Sequence, residues 1–70
     1  MTKTLLPIAK NIKRYRNKLG ISQDKLSKLA NVTLYTLTKI ESGATSDPRI
    51  ETVNRIANAL GVSLDDLMNK

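Results

Sequence analysis

Between Ser22 and Gly43 the chain reads SQDKLSKLANVTLYTLTKIESG, two short runs joined by Ala30-Asn31-Val32. Apolar residues fall at Leu26, Leu29, Val32, Leu37 and Ile40, close to the three- and four-residue repeat of a helix face. Ser22 and Thr33 stand where each run begins, and their hydroxyls suit the exposed N–H groups of a first helical turn. So short a connection forces the two helices to cross sharply instead of running back antiparallel. Leu26 and Leu29 are expected to point inward from the first run, Val32 to plug the turn, and Leu37 and Ile40 to anchor the second. Whatever else the chain does, it must cover this corner.

The flanks supply helices to do so. Strand signals are missing: there is no alternating run and no Asn-Gly or Asp-Gly hairpin turn. Five helices are predicted, over about residues 5–18, 23–29, 34–41, 49–60 and 64–68. In the first, Pro7 suits the opening turn, Ile8, Ile12, Tyr15 and Leu19 mark the buried stripe, and Gly20 supplies a left-handed stop. The fourth starts between Pro48 and Ile50, buries Ile50, Val53, Ile56, Ala57 and Leu60, and closes at Gly61. In the fifth, Ser63 and Asp66 form a capping-box-like pair, and Leu64 and Leu67 cover the bottom of the core. Connections of two to eight residues oblige the helices to pack as one cluster. The expected fold class is all-α, one compact domain over residues 1–70.

Composition narrows the chemistry. The chain has 70 residues with no Cys and no His, which removes disulfides, thiolate metal sites and the commonest general base. No apolar run approaches the length of a membrane span, and the N-terminus is too polar after Ile8 for a secretory signal. Residues 1–18 carry Lys3, Lys10, Lys13, Arg14, Arg16 and Lys18 without an acid, whereas residues 42–70 hold more acids than bases. A basic field of this kind suits a polyanion, nucleic acid first among them; solubility alone is the competing account. Asp47, Glu51, Asp65 and Asp66 are placed at helix starts, where they favour the macrodipole. With no phosphate-cradling glycine loop and no carboxylate pair in a believable site, an enzyme, a metal site or a cofactor is not expected.

Two short helices meeting at such a corner form a helix-turn-helix pattern, and the wider sequence is more specific. The segments IKRYRNKLGISQDKLSKLANV, LTKIESG and IETVNRIANALGVSLDDL follow one another in order. In them the chain resembles the lambda-repressor-like, Cro-type helix-turn-helix proteins, also called the XRE family, over about Ile8 to Leu67. Two positions depart from the family pattern. Ser27 replaces a common Ala on the inner side of the second helix, and Asn31 replaces a common Gly in the turn. Asn tolerates a left-handed backbone better than other residues with a side chain, so the turn survives.

The resemblance implies that the third helix lies in the major groove while the second crosses the backbone above it. It thereby implies base contacts from Leu34, Tyr35, Thr36, Thr38 and Lys39. Phosphate contacts are implied for Ser22 and Gln23, and Arg16 and Arg49 join them as candidates. Arg16 and Glu41 match a pair that ties the first helix to the third, and for these a structural role is favoured. Leu34 has a second reading, packing on Val32; Arg49 has one as a solvated helix start; Gln23 has one as an ordinary first-turn residue. The reading face lacks Arg, Asn and Gln, the residues suited to bidentate base contacts, so its preferred sequence is not legible.

The expected function is a sequence-specific regulator of transcription, a repressor on double-stranded DNA, cytoplasmic and bacterial or phage-encoded. One module buries little surface, so a homodimer through helices 4 and 5 on a pseudo-palindrome is expected. No membrane or small-molecule partner is evident. The alternatives are an antitoxin-type interaction module and the DNA-binding fragment of a longer repressor.

Overall fold

The computed structural model describes residues 7–44 and 48–68. It contains α1 (Ile8–Leu19), α2 (Gln23–Ala30), α3 (Leu34–Ser42), α4 (Ile50–Leu60) and α5 (Leu64–Met68), with no strand among the described residues. The all-α class and five-helix order are those the sequence predicts. Helix 1 was expected from Leu5; Leu5 and Leu6 lie outside the described residues, as do Lys3 and Asp47, and the helix begins after Pro7. At their other ends α1, α2 and α3 each run one residue further than expected, and α4 starts at Ile50 with Arg49 as its N-cap.

Local chemistry sets these limits. Ser22 Oγ accepts from the Lys25 N–H at 3.0 Å, and Thr33 Oγ1 accepts from the Thr36 N–H at 3.0 Å. The Ser63–Asp66 box closes reciprocally, both bonds at 3.0 Å. Asn31 ends α2 in the left-handed conformation, φ 58°, the sole described residue with a side chain at positive φ. The departure from Gly therefore leaves the turn intact, as an asparagine can.

The core gathers Ile8, Ile12, Leu26, Ala30, Leu37, Ile40, Val53, Ile56, Ala57, Leu60 and Leu67. Tyr15, Val32, Leu64 and Met68 pack against it from its margin. Asn11 fastens the last helix to the first: it is buried, and its Nδ2 donates to the Leu67 carbonyl at 2.8 Å. That bond satisfies a polar group which would otherwise cost about 1–3 kcal/mol to bury.

Three expected core residues lie outside. Leu19 is 53% exposed, Leu29 55% and Ile50 62%. Leu19 has the stripe's direction but stands in the last turn of α1, where it overhangs the core. In α2 the buried residues are Leu26, Ser27 and Ala30. At about 100° per residue this centres the inner face roughly 105° away from Leu29. Small side chains at Ser27 and Ala30 line the inner face, so α2 packs on its neighbours through its narrow side. Ile50 stands about 70° off the centre of the Val53, Ile56, Ala57 and Leu60 face, and in the first turn of α4 as well.

Candidate nucleic-acid interface

The inner side of α3 is made by Leu37, Ile40 and Glu41, all buried. A buried carboxylate is unfavourable unless it is paired and hydrogen-bonded, and Glu41 is held on both oxygens. Arg16 Nε donates to Oε2 at 2.9 Å, Arg16 Nη2 to Oε1 at 3.0 Å, and Gln23 Nε2 also to Oε1 at 3.0 Å. Arg16 Nη1 continues to the Ile21 carbonyl at 3.0 Å. Helices α1, α2 and α3 thus meet at one carboxylate. The fork-on-fork geometry of Arg16 and Glu41 is the strong form of ion pair. Each Arg16 guanidinium nitrogen bonds within the protein, and its side chain is only 15% exposed. The sequence raises Arg16 both as a phosphate ligand and as a structural partner; the geometry pairs it with Glu41.

Gln23 opens α2 and is half-buried. One N–H of its amide is taken by Glu41, which fixes where the group points. An amide NH2 has a second hydrogen, and the first-turn N–H groups of α2 lie beside it. Ser22 is exposed and spends its oxygen as the cap.

On the opposite side of α3 Tyr35 is 70% exposed, and Leu34, on the flank of its first turn, is 41% exposed. Leu34 is therefore not simply buried against Val32. Thr36, Thr38 and Lys39 are half-buried. Their hydroxyl bonds are local: Thr33 and Thr36 share one at 2.8 Å, and Thr38 donates to the Tyr35 carbonyl at 2.9 Å. Lys39 stands over the Tyr35 ring, Nζ 5.2 Å from its centroid. Between this face and the start of α4 lies an open groove of about 340 Å³ lined by Tyr35, Thr36, Lys39, Pro48, Arg49 and Thr52, with Ile40 at its floor. Arg49 is exposed and makes no side-chain cap. The structure thus brings Tyr35, Thr36 and Lys39 together with Arg49 at one groove, leaves Leu34 and Thr38 outside its lining, and places Ser22 and Gln23 at the start of α2.

Sequence reasoning did not find Gln23 as a partner of Glu41, Thr52 in the groove, or Arg55 bonding the Asn31 carbonyl at 3.2 Å. The Glu51–Arg55 pair at 3.2 Å carries an i,i+4 signal. The other contacts depend on how helices cross, which no local spacing encodes.

A helix-turn-helix family model (HTH_3) matches residues 12–67. The chain belongs to the helix-turn-helix family. Among solved structures, this helix-turn-helix chain is similar to the N-terminal DNA-binding domain of SinR from Bacillus subtilis. The two are 30% identical, with 90% of this chain and 91% of that one covered and a TM-score of 0.86. A structure of SinR, the master regulator for biofilm formation, in complex with DNA gives 31% identity, coverage of 89% and 98%, and a TM-score of 0.84. The P22 c2 repressor in complex with a synthetic operator gives 28% identity, coverage of 96% and 97%, and a TM-score of 0.80. Among curated proteins, none matches significantly. In this helix-turn-helix protein α2 and α3 are the motif pair, and α1, α4 and α5 carry it.

Proposed function

We propose that this helix-turn-helix protein is a sequence-specific, double-stranded-DNA-binding regulator of transcription that represses by occupying its operator. The observation that carries the reading is the two-sidedness of α3. Leu37, Ile40 and Glu41 fix it to the body, while Leu34 and Tyr35 project outward beside Thr36, Thr38 and Lys39. A helix held in this way is the element that enters the major groove in helix-turn-helix docking. SinR and the P22 c2 repressor, whose folds it shares, have been solved with DNA.

The mechanism is steric and needs no bond-making. Gln23, with the N–H groups opening α2, and Arg49 across the groove take phosphates and set register. Leu34 and the threonine methyls meet thymine methyls, and Lys39 donates to a base edge. Affinity comes chiefly from the phosphates and falls with salt. A single module buries too little surface for strict selection. Two copies therefore associate through α4 and α5, around Leu64 to Met68, and bind half-sites about 34 Å apart or a multiple of it.

Selection of bound duplexes from a random pool, at two salt concentrations, tests this reading. A palindromic consensus with a steep salt slope is expected. Binding without a consensus, or no binding at low salt, refutes it. A consensus of a single half-site refutes the dimer and leaves the rest.

A further inference from the structure

Tyr35 is an expensive residue to leave outside. The chain has two aromatics. Tyr15 is half-buried and packs on the core, whereas Tyr35 is 70% exposed and has no place in it. What the Tyr35 ring does touch is Lys39, one helical turn further on, with the ammonium 5.2 Å from the ring centroid. Side chains on a helix lean back toward its N-terminus, which carries the ammonium of Lys39 toward the first turn of α3. That is the end which helix-turn-helix docking directs at base edges.

The surroundings explain why the ring is needed. Lys39 is in no ion pair with a carboxylate among the described residues. A second cation, Arg49, lines the same groove. A lysine side chain is long and flexible, and its ammonium is drawn to whichever phosphate is nearest. The negative face of an aromatic ring supplies a neutral seat that attracts the cation without neutralising it.

We propose that Tyr35 is a positioning residue for Lys39, and that the pair reads a guanine in the major groove. The proposal rests on the DNA-binding reading above and deepens it. An ammonium carries donors and no acceptor. Guanine offers two adjacent acceptors, N7 and O6, whereas adenine sets an N6 donor beside its N7. A donor-only group held at the groove edge therefore selects guanine. The tyrosine hydroxyl both donates and accepts, and does not discriminate in this way. The specificity resides in the ammonium, and the ring determines where the ammonium stands.

The test measures binding of the full chain by fluorescence anisotropy to its selected duplex and to duplexes with single base-pair changes. Lys39→Met is expected to abolish the preference for one guanine, on the order of tenfold. Tyr35→Leu, which keeps an apolar side chain but removes the ring, is expected to weaken the same preference by roughly two- to fivefold. Tyr35→Phe keeps the ring and is expected to restore it. In the Lys39→Met background, Tyr35→Leu should cost nothing further at that position. Unchanged melting curves exclude loss of fold, since Tyr35 is exposed and Lys39 half-buried. Tyr35→Phe behaving like Tyr35→Leu, additive effects of Tyr35→Leu and Lys39→Met, or a consensus with no guanine dependent on Lys39 each overturn the assignment and leave the regulator reading standing. A parent protein that selects no consensus overturns both.

Discussion

Replacing Glu41 by Gln tests how far the meeting point of α1, α2 and α3 governs stability. The substitution preserves shape and removes one charge. Oε1 of Glu41 accepts two bonds, from Arg16 Nη2 and Gln23 Nε2, and Oε2 accepts one from Arg16 Nε. The best amide orientation keeps its oxygen at the doubly bonded site. Its NH2 then faces the Arg16 Nε–H, donor against donor. One charge-assisted bond is lost outright, and the guanidinium, with a side chain 15% exposed, loses its counter-charge. A hydrogen bond to a charged group is worth about 1.5–3 kcal/mol, and breaking a buried pair costs about 3–5 kcal/mol. Partial access of Arg16 to water places this case at about 2–3 kcal/mol. For a chain of this size each kcal/mol moves the melting midpoint by about 4–8 °C, so a fall of roughly 10–20 °C is expected. Thermal melting followed by helical circular dichroism reads it. Glu51→Gln is the control: its pair with Arg55 is exposed on both sides, and the loss should stay below about 0.5 kcal/mol. The double change Arg16→Met with Glu41→Leu should recover much of the stability, because an apolar replacement strands no charge. A midpoint for Glu41→Gln within about 3 °C of the parent, under 1 kcal/mol on the same scale, refutes the reasoning.

Three further outcomes are expected. Asn31→Ala should destabilise by about 1 kcal/mol in urea titration, because φ is 58° there and a Cβ without a local polar partner tolerates that region poorly; Asn31→Gly should be neutral or stabilising. Leu26→Ala should lose about 2–5 kcal/mol, whereas Leu29→Ser, at a site 55% exposed, should change stability by less than about 0.5 kcal/mol; comparable losses at both sites would contradict the rotated inner face of α2. Arg49→Ala should weaken binding across all duplexes alike and lower the salt slope by about 1; a loss confined to one base position would make Arg49 a base reader.

Much of the fold was legible because helix signals are local. Ser22, Thr33 and the Ser63–Asp66 box announce beginnings, and Gly20 and Gly61 announce ends, each within one turn of the residues they govern. Leu29 was misread because two leucines three apart look like a stripe, while the helix packs through Ser27 and Ala30, residues whose smallness is silent in a hydrophobicity pattern. Leu19 was misplaced because a stripe gives direction without saying how far the neighbouring helices extend, and Ile50 because it also stands off the centre of its stripe. At the candidate interface, the α3 set came with the family resemblance; helical spacing from Leu37 and Ile40 accounts for the outward placing of Tyr35, Thr38 and Lys39. The contact of Gln23 with Glu41 and the groove shared by Lys39, Arg49 and Thr52 arise from crossing angles, which only the assembled structure fixes.

The division of labour along α3 has an evolutionary consequence. Its attachments are concentrated in Leu37, Ile40 and Glu41, all buried, while the hydroxyl bonds of Thr36 and Thr38 stay within the local turn. Mutations at Leu34, Tyr35, Thr36, Thr38 and Lys39 can therefore accumulate with little penalty to folding. Under the function proposed above, a duplicated copy of this scaffold drifts toward a new operator while keeping its core unaltered, and descendants with near-identical bodies come to govern different genes.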